Sequence, residues 1–410
     1  MAYIPFTKEM KKNYTILVPN MLPMHFKLIL QVLENYGYHT ELLETQGPEI
    51  PETGLKYVHN DTCYPALLVI GQFISALQSG KYDPHRVALV LFQTGGGCRA
   101  SNYIPLLRKA LEKAGFAYVP VISFSLAGLE KHPGFRLTLP ILHQMLYALI
   151  YADLLLCLVN QCRPYEKKKG ESQQLADTIT AEIAQNMKRD GVSFRKVKAG
   201  CKNIISRFAA IERTGGRKVK VGIVGEIYVK YSPLGNNNLE QFLIDEGAEP
   251  VTPGLLDFML YCLYNNLEDF KLYGIKKLLY PICRIAYRFL TAQQEAICRL
   301  VEEDGRFTAP TRFRDLVDLV GGQYIGKGTK MGEGWLLPAE MLELYHSGVK
   351  NIICAQPFGC LPNHICGKGM MKPLKDHNPD INIVAVDYDP GATRVNQENR
   401  IKLMLANARQ

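Results

Sequence analysis

Three loops, widely separated along the chain, each place a cysteine beside glycine or proline. The loops are NDTCYP at residues 60–65 with Cys63, QTGGGCRASNY at residues 93–103 with Cys98, and QPFGCLPNHICGKGMM at residues 356–371 with Cys360. Glycine lets the backbone approach a ligand closely, and proline stiffens the chain beside a cysteine. Cysteine thiolates are the usual ligands of iron–sulfur clusters. These residues therefore predict that the three loops converge on one iron–sulfur cluster.

Each of these cysteines, taken singly, is also explained as a small buried residue. The sequence has no Cys-x-x-Cys pair, so it indicates neither a ferredoxin-type run nor a zinc ribbon. Cys354, Cys360 and Cys366 recur as C-x5-C-x5-C. Cys354 is expected to end a buried strand, and Cys366 is either a fourth ligand or a core residue. His364 is either a metal ligand or a hydrogen-bonded loop histidine.

The remaining cysteines do not indicate a metal site or disulfide bonds. The chain has 11 cysteines, an odd number at loose spacing, which does not indicate a disulfide framework in an intracellular protein. Cys157, Cys262 and Cys298 lie in apolar helical stretches, and we expect them to be small core residues.

Strand-like and helical segments alternate along the first half of the chain. A short strand is expected at residues 55–58, and the main strands are predicted at residues 14–18, 40–43, 86–92 and 118–122. Thr62 is the expected N-cap of a helix with Pro65 in its first turn. Cys63 would then lie at a helix N-terminus, where the helix dipole favours a thiolate.

A second α/β unit is predicted after a linker at residues 212–218 (ERTGGRK). A helical insertion is expected at about residues 255–303. Strands are predicted at residues 220–224, 351–354 and 381–386, and residues 249–252 lead into a short strand or turn. The pattern predicts an α/β fold with two parallel-sheet domains of four or five strands each, at residues 1–211 and 218–410. In such sheets ligands bind beyond the carboxyl ends of the strands, where Cys98 and Cys360 are predicted to lie.

Composition and charge indicate an ordinary globular chain with a basic surface. Of the 410 residues, 47% are hydrophobic and 21% are charged, and the formal net charge is +9. A positive balance suits an acidic partner protein or a phosphorylated small molecule. Because no long basic stripe is interleaved with aromatic residues, the sequence does not indicate nucleic-acid binding.

One stretch, residues 137–159, is apolar and long enough for a membrane span. Pro140, His143, Gln144 and Asp153 interrupt it, so we interpret it as a buried helix. The N-terminus lacks the apolar core of a signal peptide, and a cytoplasmic location without membrane association is therefore expected.

Two further segments adjoin the predicted strands. Residues 225–231 (GEIYVKY) place Glu226 and Lys230 just beyond a strand. Residues 326–334 (GKGTKMGEG) are glycine-rich but lack the G-x-x-x-x-G-K-[ST] pattern, so they do not predict an ATP site. A mobile loop is the simpler expectation for them.

The chain resembles a known family across much of its length. The matching motifs are NDTCYPA, GGGCRASNY, VGEIYVKYSPLGNNNLEQFLIDEGAE, QPFGCLPNHICGKG and DYDPGATRVNQENRIKLML. They are similar to the acyl-CoA dehydratase activase-related proteins of the 2-hydroxyacyl-CoA dehydratase and benzoyl-CoA reductase superfamily, which includes double-cubane cluster proteins.

The resemblance implies two Rossmann-like domains that hold a [4Fe-4S] or double-cubane cluster in the cleft between them. By motif, Cys63, Cys98 and Cys360 are the implied ligands, and Cys366 is a further candidate. The fourth iron ligand is left open between a substrate oxygen, a bridging sulfide and another cysteine. The resemblance also implies a separate ATP-hydrolysing activase as electron donor, and an acyl-CoA or other small molecule as substrate.

Three functions remain open from the sequence. The chain is a dehydratase- or reductase-type component, a non-catalytic electron-transfer or cluster-carrying subunit of a larger complex, or a plain metabolite-binding α/β protein. A homo- or hetero-oligomer is compatible with each of them. Iron and sulfide content separates the first two from the third.

Overall fold

The computed structural model describes residues 3–59, 61–94, 97–124, 130–189, 192–321 and 323–409. Asn60 of the first cysteine loop and residues 95–96 of the second therefore lie outside the described residues.

The first half of the chain forms a four-stranded parallel sheet in the order β2-β1-β3-β4. Its strands are β1 Thr15–Pro19, β2 His39–Leu43, β3 Val87–Phe92 and β4 Val121–Phe124. Strand β3 is an unbroken apolar run, VALVLF, and its first five residues are buried, as expected of a parallel strand covered on both faces. The accompanying helices are α1 Met10–Asn13, α2 Pro23–Asn35, α3 Glu49–Tyr57, α4 Tyr64–Gln78, α5 Tyr103–Lys113, α6 Leu139–Cys162, α7 Glu171–Arg189 and α8 Phe194–Ala209.

The second half repeats the plan, with a parallel sheet in the order β6-β5-β7-β8. Its strands are β5 Val219–Gly225, β6 Ala248–Val251, β7 Asn351–Pro357 and β8 Asn382–Tyr388. Its helices are α9 Ile227–Tyr231, α10 Pro233–Asn236, α11 Leu239–Asp245, α12 Leu255–Tyr273, α13 Tyr280–Asp304, α14 Phe313–Leu319, α15 Leu336–His346, α16 Met371–His377 and α17 Arg394–Ala408.

The predicted α/β fold with two parallel sheets is confirmed, and each sheet has four strands. Two local predictions were wrong. Residues 55–58 end helix α3 instead of forming a strand. The expected N-cap Thr62 is displaced by Cys63, which itself occupies the N-cap position of α4. The predicted helical region at about residues 255–303 consists of two helices, α12 and α13, because Gly274, with a φ of +65°, ends α12 in the left-handed conformation that glycine adopts readily.

Helix α6 lies between the two halves of the molecule. It is the one described helix that is long and apolar enough to span a membrane, and 72% of its most apolar window is buried inside the structure. Its Asp153 accepts hydrogen bonds from the backbone N–H groups of Leu255 and Leu256, at 2.8 and 2.9 Å, and lies 2.7 Å from His25. A single carboxylate thus joins α2, α6 and the N-terminus of α12. The predicted buried helix is confirmed.

Candidate functional site

The candidate site lies at the carboxyl ends of the strands of both sheets. In each sheet the first and third strands are neighbours that lead to opposite sides, which makes the gap between their carboxyl ends a topological switch point, the usual ligand position in such folds. Cys98 follows β3 and Cys360 follows β7, which are the third strands of their sheets. The two cysteines therefore occupy equivalent positions in the two halves.

The Cys63 and Cys360 loops are in direct contact. The backbone N–H of Tyr64 donates a hydrogen bond to the carbonyl of Phe358 at 3.1 Å. Gly359 has a φ of +76°, and a Cβ added to it would lie 3.2 Å from the Cα of Cys63. Glycine at position 359 therefore provides both the left-handed turn and the close approach of the two halves.

The Cys98 loop is closed by the glycine-rich segment 326–334. Gly332 has a φ of +57°, and an added Cβ would lie 3.1 Å from Pro362 Cβ and 4.0 Å from Cys98 Sγ. Met331 packs against Gly97 on the same side. This segment also forms an internal turn, in which Trp335 donates its backbone N–H to Thr329 at 2.8 Å. It is thus a wall of the cysteine site.

Each of the three cysteines lies directly before a helical turn. Cys63 precedes α4, Cys98 precedes a 3-10 turn that leads into α5, and Cys360 precedes the helical residues 361–377. Backbone N–H groups at these turns lower the pKa of the thiols. The Cys63 and Cys98 side chains nevertheless form no N-cap hydrogen bond. The N–H groups belong to Ala66 for Cys63, Ala100 for Cys98 and Asn363 for Cys360.

Burial acts on the three thiols in the opposite direction and is the stronger effect. The exposed fractions of Cys63 and Cys360 are 5% and 7%, and Cys98 is half-buried. Burial raises the pKa of Cys98 to about 11, and it raises the pKa of Cys63 and Cys360 as well. The free thiols are therefore protonated at neutral pH, and they would release protons on binding a metal.

A tyrosine completes the surroundings of Cys63. The hydroxyl of Tyr103 lies 2.9 Å from Cys63 Sγ, and burial together with the neighbouring thiols raises the Tyr103 pKa well above its usual value. The hydroxyl thus keeps its proton and can donate a hydrogen bond to a Cys63 thiolate.

Two buried carboxyl groups face the cysteines from the second half. Glu226 caps α9 by accepting the N–H of Val229 at 2.9 Å, and Glu333 accepts the N–H of Ile227 at 3.0 Å. Burial and the proximity of Glu333 raise the pKa of Glu226 to about 8, and burial also raises that of Glu333. Both carboxyl groups raise the pKa of Cys98 and Cys360, so they lie within electrostatic reach of two of the three thiols.

A buried ion pair lies behind these carboxyl groups. Lys230 Nζ is 2.9 Å from Glu340 Oε1, and both side chains are 1% exposed. The positive charge of Lys230 also lowers the pKa of Glu226 and of Glu333. One lysine therefore interacts with three glutamates. If all three carboxyl groups ionised, their negative charge would exceed the positive charge of Lys230.

Two amide side chains beside the Cys360 loop have polar atoms without a hydrogen-bond partner among the described residues. Both polar atoms of Gln356 and the Nδ2 of Asn363 are buried and unpaired, and both residues are 0% exposed. Unpaired buried amides cost free energy, so native proteins normally give them a partner. A polar group held at this site would supply one.

The structure brings Cys63, Cys98 and Cys360 to one region, and it places the other predicted residues around them. Cys366 is buried in a π-helical turn and shares Glu333 with Cys98 and Cys360 as an electrostatic neighbour. His364 donates a hydrogen bond from Nδ1 to the Cys360 carbonyl at 2.7 Å, and it lies in the same π-helical turn instead of a loop. The expected burial of the other cysteines is met in part. Cys354 and Cys298 are buried and Cys157 is half-buried, whereas Cys262 is exposed instead of lying in the core.

No three His, Cys, Asp or Glu side chains among the described residues surround one position suited to a single metal ion.

Sequence reasoning missed Glu333, Gln356, Asn363 and Tyr103. Three of them lie within the cysteine motifs and Glu333 within GKGTKMGEG, so their proximity to a cysteine or glycine run was the available signal. A comparison with models of known protein families gave no match, and neither did a comparison with curated proteins.

Proposed function

We propose that this chain is an iron–sulfur redox protein whose cluster is held in the cleft between the two sheets by Cys63, Cys98 and Cys360. The observation that supports it most is the convergence of three thiols from both halves, each at the start of a helix and two at equivalent switch points. A [4Fe-4S] or double-cubane cluster would supply one-electron chemistry at low potential.

The polar groups of the site suit such a cluster. Hydrogen bonds to cluster sulfurs tune the reduction potential. The N–H groups of Ala66, Ala100 and Asn363 act on the three thiols. The unpaired Nε2 of Gln356 and Nδ2 of Asn363 belong to the Cys360 motif, and we propose that they donate to the cluster. The Tyr103 hydroxyl, 2.9 Å from Cys63 Sγ, would donate to a Cys63 thiolate.

The charges of the site also favour a bound cation. Lys230 acts on the carboxyl groups of Glu226, Glu333 and Glu340, and Arg99 acts on Cys63. The three thiols would lose their protons on binding iron, and the positive charge of iron would compensate the buried thiolates.

An apolar rim around the Cys360 loop supports docking of an electron-donor protein. Four large hydrophobic side chains there are 53–59% exposed, namely Met331, Phe358, Leu361 and Ile365. Exposed apolar side chains that form a patch are typical of interaction surfaces. A separate ATP-hydrolysing activase is the proposed donor, and the accepting substrate is an acyl-CoA or another small molecule. The cytoplasmic location remains a prediction.

Iron analysis of the anaerobically purified chain tests the proposal. We expect about four iron atoms per chain for one [4Fe-4S] cluster, or about eight for a double cubane, with charge-transfer absorption near ~400 nm. Cys360→Ala is expected to lose the cluster and retain the fold. Less than about one iron per chain in the unmodified protein, or full iron in Cys360→Ala, contradicts the proposal.

Cys157→Ala is the matched control, since this thiol lies in α6, where Gln161 Nε2 donates to it at 3.1 Å. Iron content should not change in this variant. Turnover with an activase and ATP then separates a catalytic component from an electron carrier, because a carrier is reduced without converting an acyl-CoA.

A further inference from the structure

A second site lies at the opposite edge of the second sheet. A cavity of about 680 Å³ is formed where β5 and β7 begin, with Val219 and Asn351 in its wall. Tyr165, after α6, and the connection between the two halves form the other walls. The cavity has the size of a small-molecule site.

The cavity is strongly cationic. Five of its lining side chains are basic, and one is acidic. The basic residues are Arg213, Arg217, Lys218, Lys220 and Lys350. Among the described residues, no carboxylate forms a salt bridge with Arg213, Arg217 or Lys218. Arg213 lies over the Phe307 ring at 4.8 Å and Lys218 over the Tyr165 ring at 5.9 Å, and neither contact neutralises a charge. The three positive charges are therefore not compensated by a carboxylate of the described residues.

The remaining charges of the cavity are largely engaged. The one acidic residue, Glu249, is 4% exposed, accepts a hydrogen bond from Tyr165 at 2.7 Å and lies 3.6 Å from Lys220. Lys350 pairs with Asp380 at 2.5 Å, but both side chains are about half-exposed, and such surface pairs are weak. Glu249 therefore offsets Lys220 and leaves an excess of positive charge in the cavity.

Clustered arginine and lysine side chains in a concave site recognise phosphate groups, which arginine binds in a bidentate manner. Tyr165 adds an aromatic ring, and its pKa of about 12 keeps its hydroxyl neutral in the hydrogen bond to Glu249. We propose that this cavity binds a small molecule that carries two or more adjacent phosphate groups.

This site is separate from the cysteines. Strand β5 runs seven residues from the cavity to Glu226, a length of roughly 20 Å at about 3.3 Å per residue. A ligand there would contact the connection at residues 212–218 and the second sheet, but not the thiols. The proposal thus does not depend on the iron–sulfur function, and iron analysis does not bear on it.

Calorimetric titration of the purified chain with pyrophosphate, ATP and adenosine, without added metal, tests the proposal. Pyrophosphate and ATP are expected to bind with dissociation constants below about 1 mM, and adenosine is not. Both affinities should fall as salt is raised, because the attraction is ionic. Tighter binding of ATP than of pyrophosphate identifies a nucleotide site, and equal binding identifies a site for the phosphates alone.

The double variant Arg217→Glu/Lys218→Glu is expected to weaken binding of pyrophosphate at least tenfold. Lys372→Glu/Lys375→Glu on α16 changes the net charge equally outside the cavity and should bind as the unmodified chain does. The single variant Arg217→Ala, expected to weaken binding severalfold, replaces the double variant if the latter unfolds. No binding of either phosphate compound, or equal weakening by the α16 control, overturns the proposal.

Discussion

Gly359→Ala is expected to separate the two halves of the cysteine site without removing any ligand atom. Gly359 has a φ of +76°, and an alanine Cβ there would lie 3.2 Å from the Cα of Cys63. That neighbour is a backbone atom at the N-cap of α4, so it cannot move as a flexible side chain would. The Cys63 and Cys360 loops must therefore shift apart by a few tenths of an ångström.

The expected loss in the free energy of unfolding of Gly359→Ala has two parts. A left-handed conformation costs a non-glycine residue about 1–2 kcal/mol. Overpacking against a fixed neighbour adds about 1–3 kcal/mol. Gly80, at the other end of α4, has a φ of +73° and no atom within 4 Å of an added Cβ. Gly80→Ala is thus destabilised only by the left-handed backbone conformation. The difference in free energy of unfolding between the two variants therefore gives the cost of overpacking at Gly359.

Urea denaturation of the metal-free variants measures both parts. We expect Gly359→Ala to lose about 1–3 kcal/mol more of its free energy of unfolding than Gly80→Ala does. Anaerobic reconstitution should then give a lower iron content for Gly359→Ala and a normal one for Gly80→Ala. Equal destabilisation together with equal iron content would refute the reasoning that the close approach at Gly359 sets the cysteine geometry.

Three further predictions concern the buried polar groups. Lys230→Met should lower the free energy of unfolding by about 3–5 kcal/mol by leaving Glu340 unpaired, and Lys230→Met/Glu340→Leu should recover most of that loss in the same denaturation assay. Burial raises the pKa of Glu343 from 4.5 to about 7, so the stability that this group contributes is complete below pH 4.5 and is lost as the pH rises to 7. The free energy of unfolding should therefore fall by at most about 3 kcal/mol over this pH range. Glu343→Gln should remove this pH dependence from a series of unfolding measurements. Gln356→Met should stabilise the metal-free chain by about 1–3 kcal/mol, because it removes an unpaired buried amide, yet make the reduction potential of the reconstituted protein more negative in a redox titration.

The sheets were predictable from the sequence because parallel strands buried on both faces are continuous apolar runs. VALVLF of β3 and the central residues IICA of β7 show this pattern, and both strands were located within a few residues. The loops at their carboxyl ends follow from the same pattern, which is why Cys98 and Cys360 were predicted at the sheet edges.

Other features depend on contacts that no local pattern carries. Glu333 lies about a hundred residues from Ile227, whose N–H it accepts at 3.0 Å. The basic cavity combines Arg213, Arg217, Lys218 and Lys220, which lie within eight consecutive positions, with residues as distant as Gln161 and Lys350. The sequence shows the local basic run but not the cavity that the distant residues complete. The Thr62 prediction failed because capping preference is a weak local signal, and the chain uses Cys63 at the cap instead.

Because the cysteines are divided between the two halves, changing the distance between the halves tests iron binding more directly than removing a cysteine does. The first half contributes Cys63 and Cys98, and the second contributes Cys360, so neither half alone supplies the three thiols. Removing a thiol lowers metal content if the thiol is a ligand, but it also removes a buried side chain and leaves a cavity. Gly359 contributes no sulfur, and compared with Gly80→Ala, which carries the same backbone strain, its substitution changes how closely Cys63 and Cys360 approach each other. Iron loss in Gly359→Ala, with the fold retained, would therefore show that iron binding requires the two halves to meet.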